Sequence, residues 1–539
     1  LPLAYLLIFY FYPLASILGL SLAPEGQLEL SVLGQLADHL DILWFTTWQA
    51  GLSTLLTVAL GLPGAFVFAR YAFRGKSLLQ ALMTVPFVLP TVVVAVALMA
   101  LLGPNGWLNE LLMGLLARDR PVVQLEGTLA AILLAHVFYN AVLVVRIVGN
   151  QWANLDPALV EAARPLGASR WRAFREVTLP LLGPSLGAAA LLTFMFCFTS
   201  FGVVLILGGG HFVTLEVEIY QRTIYRPNLP LAATLALVQI LVTFGLMTAY
   251  TRIQTRLSVP QELRPRRVTQ RKPTSAGEKM LLLGSLLPLL LLLLSPMVAL
   301  AGRSVRVGED VGLDYYGALF ENPRGSIFYV PPIAAVRNSL LFGLATVVLS
   351  VGLGVMISIV VARGGGRRRA VGWMDALFML PLGTSAVTLG LGYIVALDEP
   401  PLNLRTSPVL IVLAHTLVAL PFVVRSILPA LRSIHPHLRE SAAMLGASPG
   451  RVWREIDLPI IGRAITVGAV FAFTISMGEF GATALIARLQ VPTMPVAIYR
   501  LLGQPGISNF GQALAMSTLL MLVCAVGFMV IERFRVGEF

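Results

Sequence analysis

Apolar runs of about 20 residues recur from one end of this chain to the other, each long enough to cross a ~30 Å hydrocarbon layer as a helix. Nothing else in the sequence restricts the fold as much. In lipid only helices and closed barrels satisfy every backbone group, and no alternation of the barrel kind is visible. We therefore expect an all-α polytopic membrane protein. Twelve candidate spans can be marked, at 1–22, 47–69, 78–102, 128–149, 184–207 and 230–250, then 280–301, 338–362, 371–397, 408–431, 464–487 and 512–531. The composition agrees, with 57% apolar and only 12% charged residues where soluble domains carry about 25% charged. The first run is longer than a signal-peptide core and lacks a basic flank or a small-residue cleavage site. It reads as a genuine first span whose cytoplasmic lead-in lies before Leu1. Cys197 and Cys524 both fall inside apolar runs, without disulfide or metal spacing, and read as core fillers.

The net charge of +12 invites a nucleic-acid reading. Its distribution argues against one, because the basic residues sit in alternate short loops, as the positive-inside rule requires. Arg70, Arg74 and Lys76 follow the second span, and Arg170, Arg172 and Arg175 follow the fourth. The stretch 254–278 carries Arg252 at its edge and Arg264, Arg266, Arg267, Arg271 and Lys272 within it. Arg367, Arg368 and Arg369, then Arg432, Arg439, Arg451 and Arg454, occupy the matching loops of the second half. The first opposite loop instead holds Glu25, Glu29, Asp38 and Asp41. Both termini are thus expected on the cytoplasmic side of the membrane.

The chain also repeats itself. Glu161, Ala163, Leu166, Gly167, Ala168, Ser169, Arg172, Arg175, Glu176, Leu179 and Pro180 recur without a gap as Glu440, Ala442, Leu445, Gly446, Ala447, Ser448, Arg451, Arg454, Glu455, Leu458 and Pro459. The same offset pairs His136 with His415, Arg146 with Arg425, Phe201-Gly202 with Phe480-Gly481 and Tyr220 with Tyr499. A second offset pairs Gly61 with Gly354. With an even number of spans per copy, the copies run the same way through the membrane, a parallel repeat about an axis along the membrane normal. The expected organisation is a first half at 1–253, a solvated Arg- and Pro-rich linker at 254–278 and a second half at 279–539.

The repeated polar segments, 156–180 and 435–459, lie on the cytoplasmic side. In the second, Pro436 suits the first turn of a helix and Gly446 a left-handed stop. Ser448 and Pro449 suit the start of another helix, and Pro459 should break the chain before the next span. A short helix-turn-helix across the membrane face follows. Pro165 departs from this pattern and should end or kink the first copy's helix near Arg164.

Glu161, Ala162, Ala163, Gly167, Val177, Leu179 and Pro180 resemble the signature of permease subunits in type I ATP-binding-cassette importers. Glu440, Ala442, Gly446, Ile456, Leu458 and Pro459 resemble it with Ser441 in place of the first alanine. The resemblance implies that each segment is a coupling helix docking on an ATPase, so Glu161, Ala162, Ala163, Gly167, Glu440, Ala442 and Gly446 are the expected coupling residues. It further implies two copies of a cytoplasmic ATPase that bind ATP and Mg, an extracytoplasmic binding protein, and no cofactor in this chain. Gly75-Lys76-Ser77 resembles the end of a phosphate-binding loop, but Arg70 stands where the upstream glycine belongs, so a basic loop is the better reading.

Ionisable residues inside spans are candidate functional groups. Repetition of His136 as His415 favours a shared packing role, while Asp375 has the Arg367–Arg369 cluster near it. Glu479, deep in the eleventh span, and its counterpart Ser200 are candidates for the translocation path or its gate. The run from Cys197 to Gln221 resembles thiamine permeases, while Gly478 to Thr483 resembles iron, molybdate and sulfate permeases equally. Thiamine is the first expectation for the cargo and ferric iron the second. A secondary transporter of the major facilitator type shares the six-plus-six plan. That class needs coupling groups at the midplane, and beyond Glu479 few are present. No constellation of catalytic residues suggests an enzyme.

Overall fold

The computed structural model describes residues 1–23, 34, 36–156, 158, 162–163, 165–257, 270–308, 310–321, 330–363, 374, 377–398, 400 and 402–535. Among these residues, eleven helices are long and apolar enough to cross a membrane, and a pair bent by 107° makes a twelfth. The first half contains α1 (Pro2–Leu22), α2 (Leu40–Arg70), α3 (Lys76–Val88), α4 (Thr91–Leu102) and α5 (Trp107–Leu116). It continues with α6 (Leu129–Asn154), α7 (Trp171–Phe198), α8 (Gly202–Leu207), α9 (Leu215–Ile224) and α10 (Leu229–Leu257). The second half contains α11 (Ala276–Ser304), α12 (Pro332–Arg363), α13 (Ala386–Ala396), α14 (Val409–Arg432) and α15 (Pro436–Met444). It ends with α16 (Pro449–Gly478), α17 (Gly481–Ile486), α18 (Met494–Leu502) and α19 (Ile507–Arg535).

Each half is built on a helix triplet, α2, α6 and α7 in the first and α12, α14 and α16 in the second. The triplets repeat down to single atoms. A Cβ on Gly61 would lie 2.8 Å from Cβ of Val144, and one on Gly354 would lie 2.6 Å from Cγ1 of Val423. No side chain fits at either crossing, and two helices approach there through a bare backbone. Equivalent apolar clusters fill the triplets beyond these crossings, with Val148 and Leu182 in one and Ile427 and Ile461 in the other.

The first helix of each half lies across the other half. The π-turned part of α1 packs on α14 and its remainder on α13, while α11 packs on α2 and α4. The Tyr5 hydroxyl donates to the Leu413 carbonyl at 2.6 Å, and the Tyr10 hydroxyl shares a 2.7 Å hydrogen bond with Thr384. The final helices follow suit, α19 packing on α3 and α4. One continuous apolar core therefore joins the halves.

Four expected spans are interrupted. The third divides at Leu89, held extended by the following Pro90. The ninth bends sharply between residues 377–383 and α13, where Ser385 caps the new helix through the N–H groups of Val387 and Thr388. The fifth and eleventh stop at Phe198 and Gly478 instead of running to 207 and 487, and the short helices α8 and α17 start after each break. A uniformly apolar run hides such breaks, because they are set by single caps.

The stretch before α11 lies on the first half. Arg271 donates its N–H to the Arg70 carbonyl, and its own carbonyl accepts from Ala72, both at 3.0 Å. Its guanidinium lies 5.9 Å from the Tyr71 ring centre and pairs with Glu278. Glu278 and Ser275 form a capping box that starts α11.

Candidate coupling surface and interhalf seam

The repeated segments emerge on the face where α2, α6, α10 and α14 end. In the second copy α15 buries no residue. Gly446 adopts φ +80°, and the N–H of Ala447 reaches back to the Ala442 carbonyl at 3.0 Å, closing the helix as a left-handed C-cap does. Ser448 then accepts the N–H of Arg451 and starts α16. In the first copy Ala162 and Ala163 are helical and Pro165–Gly167 form a turn, so the helix ends ahead of the proline. Gly167 has φ +85°, and Ala168 donates to the Ala163 carbonyl at 3.1 Å. Glu161, Arg164, Pro157, Asp375 and Arg367–Arg369 lie outside the described residues. Each turn holds an apolar side chain out into the open, Leu166 at 88% exposure and Leu445 at 89%. Glu440 is exposed beside them and meets His437 at 3.0 Å. Arg439 ties α15 to the buried carboxylate of Asp457 at 2.7 Å.

Pro459 does not break the chain as expected, and neither does its counterpart Pro180. A π-helical turn precedes each, Phe174–Thr178 in one copy and Trp453–Asp457 in the other. The widened turn accommodates a residue that lacks an N–H, and the helix continues through it. The glycine turn is consequently continuous with a membrane-crossing helix in both halves.

At the centre, Phe201 and Phe480 stack across the pseudo-twofold axis with ring centres 5.3 Å apart. Tyr220 packs on the first at 5.2 Å and Tyr499 on the second at 5.5 Å. The residue before each phenylalanine is Ser200 or Glu479, and both are buried. Glu479 accepts the N–H groups of Ala482 at 2.8 Å and Thr483 at 3.0 Å, together with the Thr483 hydroxyl. This carboxylate caps α17 and so supplies the break that ends α16. His415 lies 3.3 Å from it, and its other ring nitrogen shares a 2.7 Å bond with Ser476.

The first half keeps the histidine and loses the carboxylate. His136 shares a 2.9 Å bond with Ser53, while its buried Nε2 has no hydrogen-bond partner among the described residues. Ser200 and Val204 stand where the second half has Glu479 and Thr483. Arg146 reaches the Thr84 hydroxyl at 2.6 Å, fastening α6 to α3.

The profile of the family described as "Binding-protein-dependent transport system inner membrane component" matches residues 59–259. The thiamine transport system permease protein of Escherichia coli (strain K12) is 28% identical over 501 residues, covering 91% of this chain and 88% of the relative. Its namesake in Haemophilus influenzae is 26% identical over 539 residues, covering 99% and 95%. These likenesses support a fused two-half ABC importer permease. A probable ABC transporter permease of Sinorhizobium fredii is also similar, 25% identical over 512 residues with 92% and 88% covered. The solved structure of a bacterial ABC transporter importing the polysaccharide alginate aligns with a TM-score of 0.40 at 16% identity, over 48% of this chain and 93% of that one.

The permease is thus a multi-pass inner-membrane transporter and not an enzyme, and its family works with an ATPase and a binding protein. That likeness argues against the facilitator reading, which rested on span count. Three buried acidic residues, Glu216, Glu218 and Asp457, escaped the sequence reading. Glu216, in α9, is 1% exposed although it falls in a segment between two spans. Its counterpart in the second half is Pro495. That mismatch within two otherwise parallel Thr-x-x-Val-x-Ile-Tyr stretches was the signal available.

Proposed function

We propose that this permease imports thiamine, driven by two ATPase copies that dock on the two repeated segments from the cytoplasm. The observation that carries the docking is the pair of exposed leucines, Leu166 and Leu445, each presented by a left-handed glycine turn. An apolar side chain held open at the same place in both halves suits insertion into a partner's groove. The partners bind ATP and Mg, and Glu161, Ala162, Ala163, Gly167, Glu440, Ala442 and Gly446 are the contact segment. The basic loops support a cytoplasmic position for this face and for both termini.

Continuity of each docking turn with α7 or α16 gives the coupling a lever. Movement of the turn pivots a helix that ends just before Ser200-Phe201 or Glu479-Phe480, and parting of the stacked rings opens the path. Thiamine rests on the relatives named for it, which span nearly the full chain. The test is uptake of labelled thiamine by proteoliposomes holding the permease, its ATPase and its binding protein. Leu166→Asp with Leu445→Asp is expected to abolish both ATPase co-purification and uptake. Undiminished uptake by that double variant overturns the docking, and wild-type vesicles that ignore thiamine overturn the cargo.

A further inference from the structure

Glu216 sits on the seam between the halves. Its carboxylate accepts the Ser385 hydroxyl from the second half at 2.7 Å and the Gln239 amide from its own half. Among the described residues it forms no ion pair. A buried carboxylate that meets only neutral donors is expensive to keep. A side chain serving structure alone would be cheaper as an amide.

Its position ties it to the gate. Tyr220, one turn further along α9, lies on the same helix face and packs on Phe201. On the other side Ser385 caps α13, and the next residue, Ala386, is 3.0 Å from where a Cβ on Gly481 would stand. The Glu216–Ser385 bond therefore crosses the seam beside the Phe201–Phe480 stack. Parting the halves removes the Ser385 donor and leaves the carboxylate facing the opened seam, with only Gln239 bonded to it.

We propose that Glu216 is the residue that selects a positively charged organic cargo in the opened path, and that Ser385 occupies it while the path is closed. This rests on reading the seam as the translocation path. In the partly dehydrated seam a carboxylate attracts a nearby cation more strongly than in water, which distinguishes a cation from a neutral or anionic molecule. Pro495 at the equivalent place makes the selection one-sided.

The test uses the full permease with its ATPase and binding protein in proteoliposomes, carrying Ser385→Cys. The native Cys197 and Cys524 are buried and define the background. Cationic and anionic methanethiosulfonates are compared, each rate normalised to a free thiol, at rest and after trapping with ATP and vanadate. Slow labelling at rest is expected, then faster labelling with about a tenfold cationic preference on trapping, which Glu216→Gln abolishes. Thr388→Cys, one turn along α13, is the second probe should the first variant fold poorly. A preference unchanged by Glu216→Gln overturns the role of Glu216 alone. Unreactive probes in every state during active uptake overturn the seam as path, and the proposal with it. Should the preference hold while thiamine is refused, the cargo is another organic cation and only the thiamine reading falls. For a cation that is transported, Glu216→Gln is expected to raise KM about tenfold with binding-protein-stimulated ATPase retained. An unchanged KM counts against Glu216.

Discussion

Two histidines at equivalent positions show how far single residues decide the two halves' differences. His415 is enclosed by Ser476, Thr483 and Glu479, and the carboxylate of Glu479 is itself satisfied by α17. Removing it strands two backbone N–H groups and takes away the carboxylate that lies 3.3 Å from the buried imidazole. Glu479→Ala is expected to lower stability by about 3 kcal/mol, read by denaturant unfolding in detergent. Ser200→Ala, the same position in the first half, should cost less than about 1 kcal/mol, because no comparable network leans on it. Equal losses in the two variants would remove the capping role given to Glu479. The sequence pointed to Glu479 as an ionisable group in a span. Its capping contacts, and the orphaned Nε2 of His136, depend on helices remote in the chain.

At the scale of the element, the repeated segments behave as rigid turns mounted on long helices. Gly167 and Gly446 occupy the left-handed region with nothing within 4 Å of an added Cβ. A substitution there meets no neighbour, only backbone strain of about 1–2 kcal/mol. Gly167→Val with Gly446→Val should leave the permease folded by size-exclusion chromatography while ATPase capture on affinity resin falls severalfold. Full capture would show that the turn's geometry is immaterial to docking. The turns themselves were legible, because glycine, serine and proline act locally. The continuity through Pro180 and Pro459 was not, since a π-turn leaves no compositional mark.

At the scale of the whole molecule, the two halves are interleaved. With α1 lying on α13 and α14, and α11 on α2 and α4, neither half alone covers its own seam. Cutting the chain within 258–269 and co-expressing the pieces should give two fragments that co-purify in detergent. Either piece expressed alone should aggregate or be degraded, as exposed seam surface predicts. Stable, monodisperse single halves would contradict the interleaving. The duplication of contacts such as Gly61–Val144 and Gly354–Val423 makes the pair a pseudo-dimer in one chain, and the halves differ at positions such as Glu216 and Pro495 or Ser200 and Glu479.

What the sequence by itself determined was the membrane class, the approximate spans, the parallel repeat and the family resemblance. Insertion into lipid is judged segment by segment on hydropathy, and a fused duplication leaves its register in plain view. The tertiary structure alone decided where spans break, which helices cross to the other half and which polar groups meet. Those outcomes depend on caps and contacts between residues far apart in the chain, to which hydropathy is blind. Glu216 is the clearest instance. It lies in a segment that reads as a loop, and only the packing of α9 against α13 and α10 buries it at the seam.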